Sequence, residues 1–140
     1  MKNILFIIVS LIFSGVAFAQ ETNIVDRPDT YPYFQKEKCE GLSDEELSNC
    51  SNSNFAAFAK TIKYPAQALE DKAEGKVYVK FIVYETGEVG KIEVAKSSGN
   101  QYLDRAAMSH LAKSSRQWTP ATKDGKAVAT DFVVPFTFAL

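Results

Sequence analysis

Residues 64–96 read YPAQALEDKAEGKVYVKFIVYETGEVGKIEVAK, and this stretch decides the fold. From Lys76 to Tyr84 the side chains alternate, with Val77, Val79, Phe81 and Val83 on one face and Tyr78, Lys80, Ile82 and Tyr84 on the other. Glu85-Thr86-Gly87-Glu88 supplies a hairpin turn in which Gly87 is free to take positive φ. Val89 to Lys96 is the return strand, with Ile92 and Val94 inward and Lys91 and Glu93 toward water. Ahead of the hairpin, Pro65 suits the first position of a short helix over Ala66 to Lys72, which Gly75 is expected to end.

Working outward, residues 97–112 read SSGNQYLDRAAMSHLA. Leu103, Ala106, Ala107, His110 and Leu111 form one helical stripe, and Asp104 lies in the first turn, where the helix dipole favours an acid. Gln117 to Pro120 reads as a loop and Lys123-Asp124-Gly125-Lys126 as a turn. From Val128 the alternation returns, with Val128, Phe132, Val134, Phe136 and Phe138 inward. The helix carries the chain back along the sheet, so the last strand pairs antiparallel with the first. The expected fold is a two-layer α+β sandwich: a three-stranded antiparallel sheet in order 2-1-3 with helices on one face. Pro135 supports an edge position for the last strand, since a residue without N–H is tolerated mainly at sheet edges.

That edge carries only Asp131 as a charge, so it is a template for another strand. The plainer reading is that the segment around Tyr31–Phe34 covers it.

The N-terminal half is organised differently. Lys2, the apolar run Ile4 to Val16 and Ala17-Phe18-Ala19 read as a secretory signal peptide cut after Ala19. The alternative is an inner-membrane anchor through residues 4–19, although about 20 apolar residues are usual for a span. Residues 20–42 read as an arm or linker, residues 43–63 as a helical segment, and residues 64–140 as the main domain. Ser43 and Glu46 have capping-box spacing. A short helix is expected toward Cys50, broken at Ser51 to Asn54. A second helix follows, with Phe55, Phe58, Ala59 and Ile62 on one face, and Tyr64-Pro65 ends it. Cys39 and Cys50 are the only cysteines. Export to an oxidising compartment favours a disulfide that pins the first helix, and two reduced structural thiols are the other reading.

Composition removes several functions. The chain has 16 Lys and Arg against 17 Asp and Glu, and removal of residues 1–19 deletes Lys2 and no acid. No basic excess remains to neutralise phosphates, so nucleic acid is a poor partner. His110 is the only histidine and sits on the apolar helix face, where a satisfied core histidine is the expected reading. Trp118 reads as a core plug. No nucleophile elbow, phosphate loop, metal-ligand set or cofactor motif is present, so no enzyme, cofactor or metal is expected.

The order and spacing of these features resemble the C-terminal domain of TonB-type energy transducers. The tokens are Tyr64-Pro65, Gly75-Lys76-Val77, Gly87, Leu103-Asp104 with Ala106-Ala107, Trp118 with Pro120-Ala121, Gly125 with Val128, and Pro135 with Phe138. The cysteine-bearing segment ahead of the domain is similar to Bacteroidetes-type relatives. The resemblance implies a periplasmic protein that binds the TonB box of outer-membrane receptors by strand addition, in transmembrane transport. It implies a pairing edge over Phe132, Val133, Val134, Pro135, Phe136, Thr137 and Phe138, and receptor contacts at Lys60, Thr61, Ile62 and Lys63. An ExbB–ExbD-type motor is implied only for an anchored form, and the cleavable-looking segment has no histidine to couple with one. A homodimer or assembly module using the same edge is the alternative.

Overall fold

The computed structural model describes residues 23–140. The expected cleavage site after Ala19, and the alternative anchor, lie outside the described residues. Among the described residues no helix is long and apolar enough to cross a membrane.

The elements run in the order β1 (Tyr33–Phe34), a 3-10 turn (Lys36–Cys39), α1 (Asp44–Lys60), α2 (Ala66–Glu70), β2 (Gly75–Val83), β3 (Val89–Lys96), α3 (Gln101–Ala112), β4 (Trp118–Thr119), β5 (Ala121–Lys123), β6 (Lys126–Val128) and β7 (Thr130–Phe138). The main sheet is antiparallel in the order β3-β2-β7, which is the expected 2-1-3 arrangement. The alternation is what produces it. Val77, Val79, Phe81 and Val83 of β2 are fully buried, and Val134, Phe136 and Phe138 of β7 are nearly so. They face Leu103, Ala107 and Leu111 of α3, Ala68 of α2 and Phe55 of α1 in one continuous core.

At the hairpin turn Gly87 has φ +83°, and a Cβ there would lie 2.4 Å from the Trp118 carbonyl oxygen. Only glycine lets the turn and β4 approach so closely. Asn100 starts α3 by accepting from the amides of Tyr102 and Leu103.

Several local expectations are corrected. Ser51 to Asn54 does not break a helix: α1 is continuous over 17 residues, opened by the Ser43–Glu46 capping box. The polar residues have long-range partners instead. Ser51 Oγ accepts from the Phe34 amide at 2.7 Å, and Asn54 Nδ2 donates to Gln35 O at 3.4 Å. The helix stops at Lys60, with Thr61 as its cap, before Tyr64-Pro65 is reached. After α2 the left-handed residue is Lys72 (φ 50°), and Gly75 opens β2 rather than closing the helix. Trp118–Thr119 is not loop but a short strand, paired with Tyr33–Phe34. Val128 belongs to the small β5–β6 hairpin, and β7 begins at Thr130.

The arm is strapped down. Thr30 bridges Thr122, Ile24 bridges Ala129, and Phe34 is fully buried beneath α1. Cys39 and Cys50 are joined by a disulfide, which ties the 3-10 turn to the first half of α1. The arm therefore runs along β4, the small hairpin and the start of β7, where Val25 N donates to Ala129 O and Thr130 Oγ1 donates to Val25 O. It forms no strand ladder with β7, which pairs over its whole length with β2.

Candidate functional site

The sheet has two edges of opposite character. β3 is the blunted one. Its register to β2 shifts twice, Lys91 takes φ 46°, and Lys91, Glu93 and Lys96 are exposed. Irregularity and charge are the usual protections of an edge. β7 has neither. It pairs with β2 without interruption from Thr130 opposite Val83 to Phe138 opposite Gly75. Its one acid, Asp131, is held by Lys80 of β2 at 3.3 Å.

Pro135 fixes which backbone groups of β7 face outward. It lies opposite Tyr78 within the unbroken ladder. A nitrogen without hydrogen is compatible with that ladder only where it points away from β2. Alternate residues share that direction, so the N–H groups of Asp131, Val133 and Thr137 also point off the edge. Their side chains lie on the outer face, where Val133 is 47% exposed.

A groove of about 630 Å³ runs beside this edge. Its far wall is α1, through Phe55, Ala56 and Ala59, and Trp118 lies at its base. Lys60, Ile62 and Tyr64 close one end. The Tyr64 ring stands edge-on to Phe138 with centroids 5.5 Å apart, and its hydroxyl donates to the Ala73 carbonyl. Burial, and then the Glu74 carboxylate, push the Tyr64 hydroxyl above the usual phenol range.

The expected contact residues divide. Lys60 and Ile62 line the groove. Thr61 turns the other way, donating to Phe58 O at 2.7 Å and meeting His110 Nε2 at 3.2 Å. Lys63 is exposed and does not line the groove. Phe136 of the expected edge also lies apart, since its side chain is core and meets Phe55 edge-on at 5.7 Å. His110 is buried, stacks on Phe58 and donates through Nε2 to the Phe58 carbonyl at 2.8 Å, at the end of α1. Trp118 is the core plug expected, its Nε1 donating to Ser114 Oγ at 2.9 Å. The groove wall on α1 was not anticipated. The only signal was small Ala56 and Ala59 interleaved with Phe55 and Phe58.

These features define a class: a small α+β interaction module whose last strand leaves its backbone open at the rim of a sheet. Residues 60–140 match the family model described as Gram-negative bacterial TonB protein C-terminal. The chain belongs to the TonB C-terminal family, whose members are interaction proteins rather than enzymes. It is similar to protein TonB of Xanthomonas campestris pv. campestris (38% identical over 80 residues, 56% of this chain and 34% of the relative). It is also similar to protein tonB2 of Pseudomonas aeruginosa (36% over 80 residues, 56% of this chain and 28% of the relative). The match thus spans about a third of those relatives' length. In fold it resembles the solution structure of the Helicobacter pylori TonB C-terminal domain, with a TM-score of 0.51 and 24% identity over 76% of this chain and 91% of that one.

Proposed function

We propose that the protein is a periplasmic component of TonB-dependent transport that binds the TonB box of outer-membrane receptors as an added strand along β7. The supporting observation is the asymmetry of the sheet: β3 is irregular and charged, while β7 is regular and its outward donors are unused by β2. Strand addition draws its affinity from main-chain hydrogen bonds, so it needs an edge of that kind. Family membership supports the transport role, and the Cys39–Cys50 disulfide supports an oxidising compartment.

Val133→Pro is the test. It removes an outward N–H and leaves the bonds to β2 in place. Phe136→Ala is the control, because it empties core volume, costs roughly 3–5 kcal/mol of stability and weakens binding only through unfolding. Both proteins are titrated with TonB-box peptides, with folding checked by circular dichroism. The expected result is a folded Val133→Pro protein with strongly reduced affinity. A folded variant that binds as tightly as wild type removes β7 as the docking edge.

A further inference from the structure

We propose that α1 is the second half of the peptide site. On this reading the groove between α1 and β7 selects extended peptides with bulky apolar side chains at alternate positions, an acidic residue at one end and a basic residue at the other. This rests on strand addition at β7 and specifies what the added strand must look like.

The pleat sets the periodicity. A strand laid along β7 continues the sheet, so every second side chain shares the face of Phe132, Val134 and Phe138. That face looks toward α1. Asn52, Ala56 and Ala59 recur at helical spacing on the wall opposite, and all three line the groove. The alanines are what keep it open, since a larger side chain at Ala56 or Ala59 would occupy the space of about 630 Å³. Phe55, Phe132 and Phe138 make the lining apolar. An apolar side chain entering there leaves water, whereas a polar one finds few partners.

Charge sets the ends. Lys60 is the one charged side chain among the groove-lining residues described. It sits at the C-terminal end of α1, and Phe138 and Ala139 line the same groove. The adjoining depression shares Pro32, Ser51, Asn52 and Phe132 with the groove and carries Asp29 and Asp44. Asp44 and Lys60 stand at opposite ends of α1, while the Asp29 carboxylate already accepts from the Asp124 amide at 2.8 Å, so the wall is acidic at one end and basic at the other, and an extended peptide complements it with charges of the opposite order. The helix that supplies the wall precedes the family-matched segment, except for Lys60 itself. It is held by the Cys39–Cys50 disulfide and by the Ser51–Phe34 hydrogen bond. The segment ahead of the family domain thus has a recognition role as well as a packing role.

The experiment uses two synthetic peptides and the disulfide-bonded chain. One peptide alternates Val with Thr between an amino-terminal Asp and a carboxy-terminal Lys, and the other has Ser in place of every Val. Wild type is expected to prefer the Val peptide by at least about tenfold, the scale of one buried aliphatic side chain. Ala56→Trp, at an exposed position, fills the groove and leaves the sequence of β7 unchanged, and the preference is expected to fall close to one. Asn52→Trp, one turn earlier on the same wall, serves if Ala56→Trp does not fold. Lys60→Glu is expected to weaken the Val peptide about two- to fivefold at low salt, with little effect on a version bearing Asn in place of Asp. Equal, measurable binding of both peptides to wild type, or a preference that survives the tryptophan, overturns the groove reading and leaves strand addition standing. Binding of neither peptide overturns both.

Discussion

Phe34→Ala tests whether the arm before the first helix is part of the folded unit. Phe34 is fully buried, 10 residues ahead of α1 and far in sequence from most of its neighbours. Its ring meets Phe55 at 5.5 Å, Phe58 at 5.3 Å and Trp118 at 5.1 Å. Truncation to Ala removes those contacts and leaves a cavity in the continuous core, which costs roughly 3–5 kcal/mol for a buried Phe. A domain of this size has about 5–15 kcal/mol in total, so the loss is a large fraction. With a urea m-value of about 2 kcal/mol/M, the unfolding midpoint should fall by roughly 2 M. Tyr31→Ala is the internal comparison, because Tyr31 is 52% exposed and should cost under about 0.5 kcal/mol. The assay is urea unfolding followed by tryptophan fluorescence. Trp118 lies against the Phe34 ring, so the probe reports the region perturbed. A midpoint shift below about 0.5 M for Phe34→Ala would refute the claim that the arm is built into the core.

Two further outcomes are expected. Replacing Cys39 and Cys50 together by Ser should lower stability by about 3 kcal/mol in the chain-entropy model, given a sequence separation of 11; wild type plus dithiothreitol should show the same midpoint, and the variant should not respond to the reductant. Asp104→Asn should reveal a pH-dependent contribution. Burial pushes the Asp104 carboxyl up, but donation from Ser97 Oγ, the Ser98 amide and Ser98 Oγ outweighs it and holds the group below the usual carboxylate range. A depressed folded pKa gives stability that is present above the unfolded value near 3.9 and lost as pH falls through the folded one. The wild type should therefore exceed the variant by roughly 1 kcal/mol at pH 7, a figure discounted for solvent exposure. The difference should close as pH falls through the depressed folded pKa, below the usual carboxylate range, and a gap that stays constant with pH would contradict the assignment.

The sheet was legible because its signal is local. Val77 to Val83 and Phe132 to Phe138 place an apolar side chain at every second position, and Gly87 marks the turn between the first two strands, so order, direction and edge followed from connectivity. The misreadings of α1 and of the shortest strands share one cause, which is partners distant in sequence. Ser51 and Asn54 looked like a helix break because small polar residues are weak helix formers and compete for backbone groups. Their side chains are instead committed to Phe34 and Gln35, 17 and 19 residues away. Tyr33–Phe34 and Trp118–Thr119 pair across most of the chain in strands of two residues, too short for any period to show. The groove was invisible for the same reason. Ala56 and Ala59 become a wall only when β7, some 70 residues later, is placed opposite.

Pro135 does more than report the edge position; it limits what the edge accepts. Outward donors remain at Asp131 and Val133 on one side of it and at Thr137 on the other, while the carbonyl of Pro135 still accepts. A guest strand can therefore pair on both sides of Pro135, but it leaves its own carbonyl unmatched in the middle. A short peptide can turn that carbonyl to water at modest cost. A long uniform strand, such as an exposed edge from an unfolded chain, meets the gap wherever its register falls. Proline on an edge is a known defence against indiscriminate pairing. On β7 it interrupts the edge without closing it, and on the proposed reading α1 lines the inner side, where bulky side chains would enter the groove. Val133→Pro adds a second gap two residues from the first, leaving no adjacent pair of donors on the strand. If strand addition is the function, that change should abolish it more completely than loss of any one outward side chain.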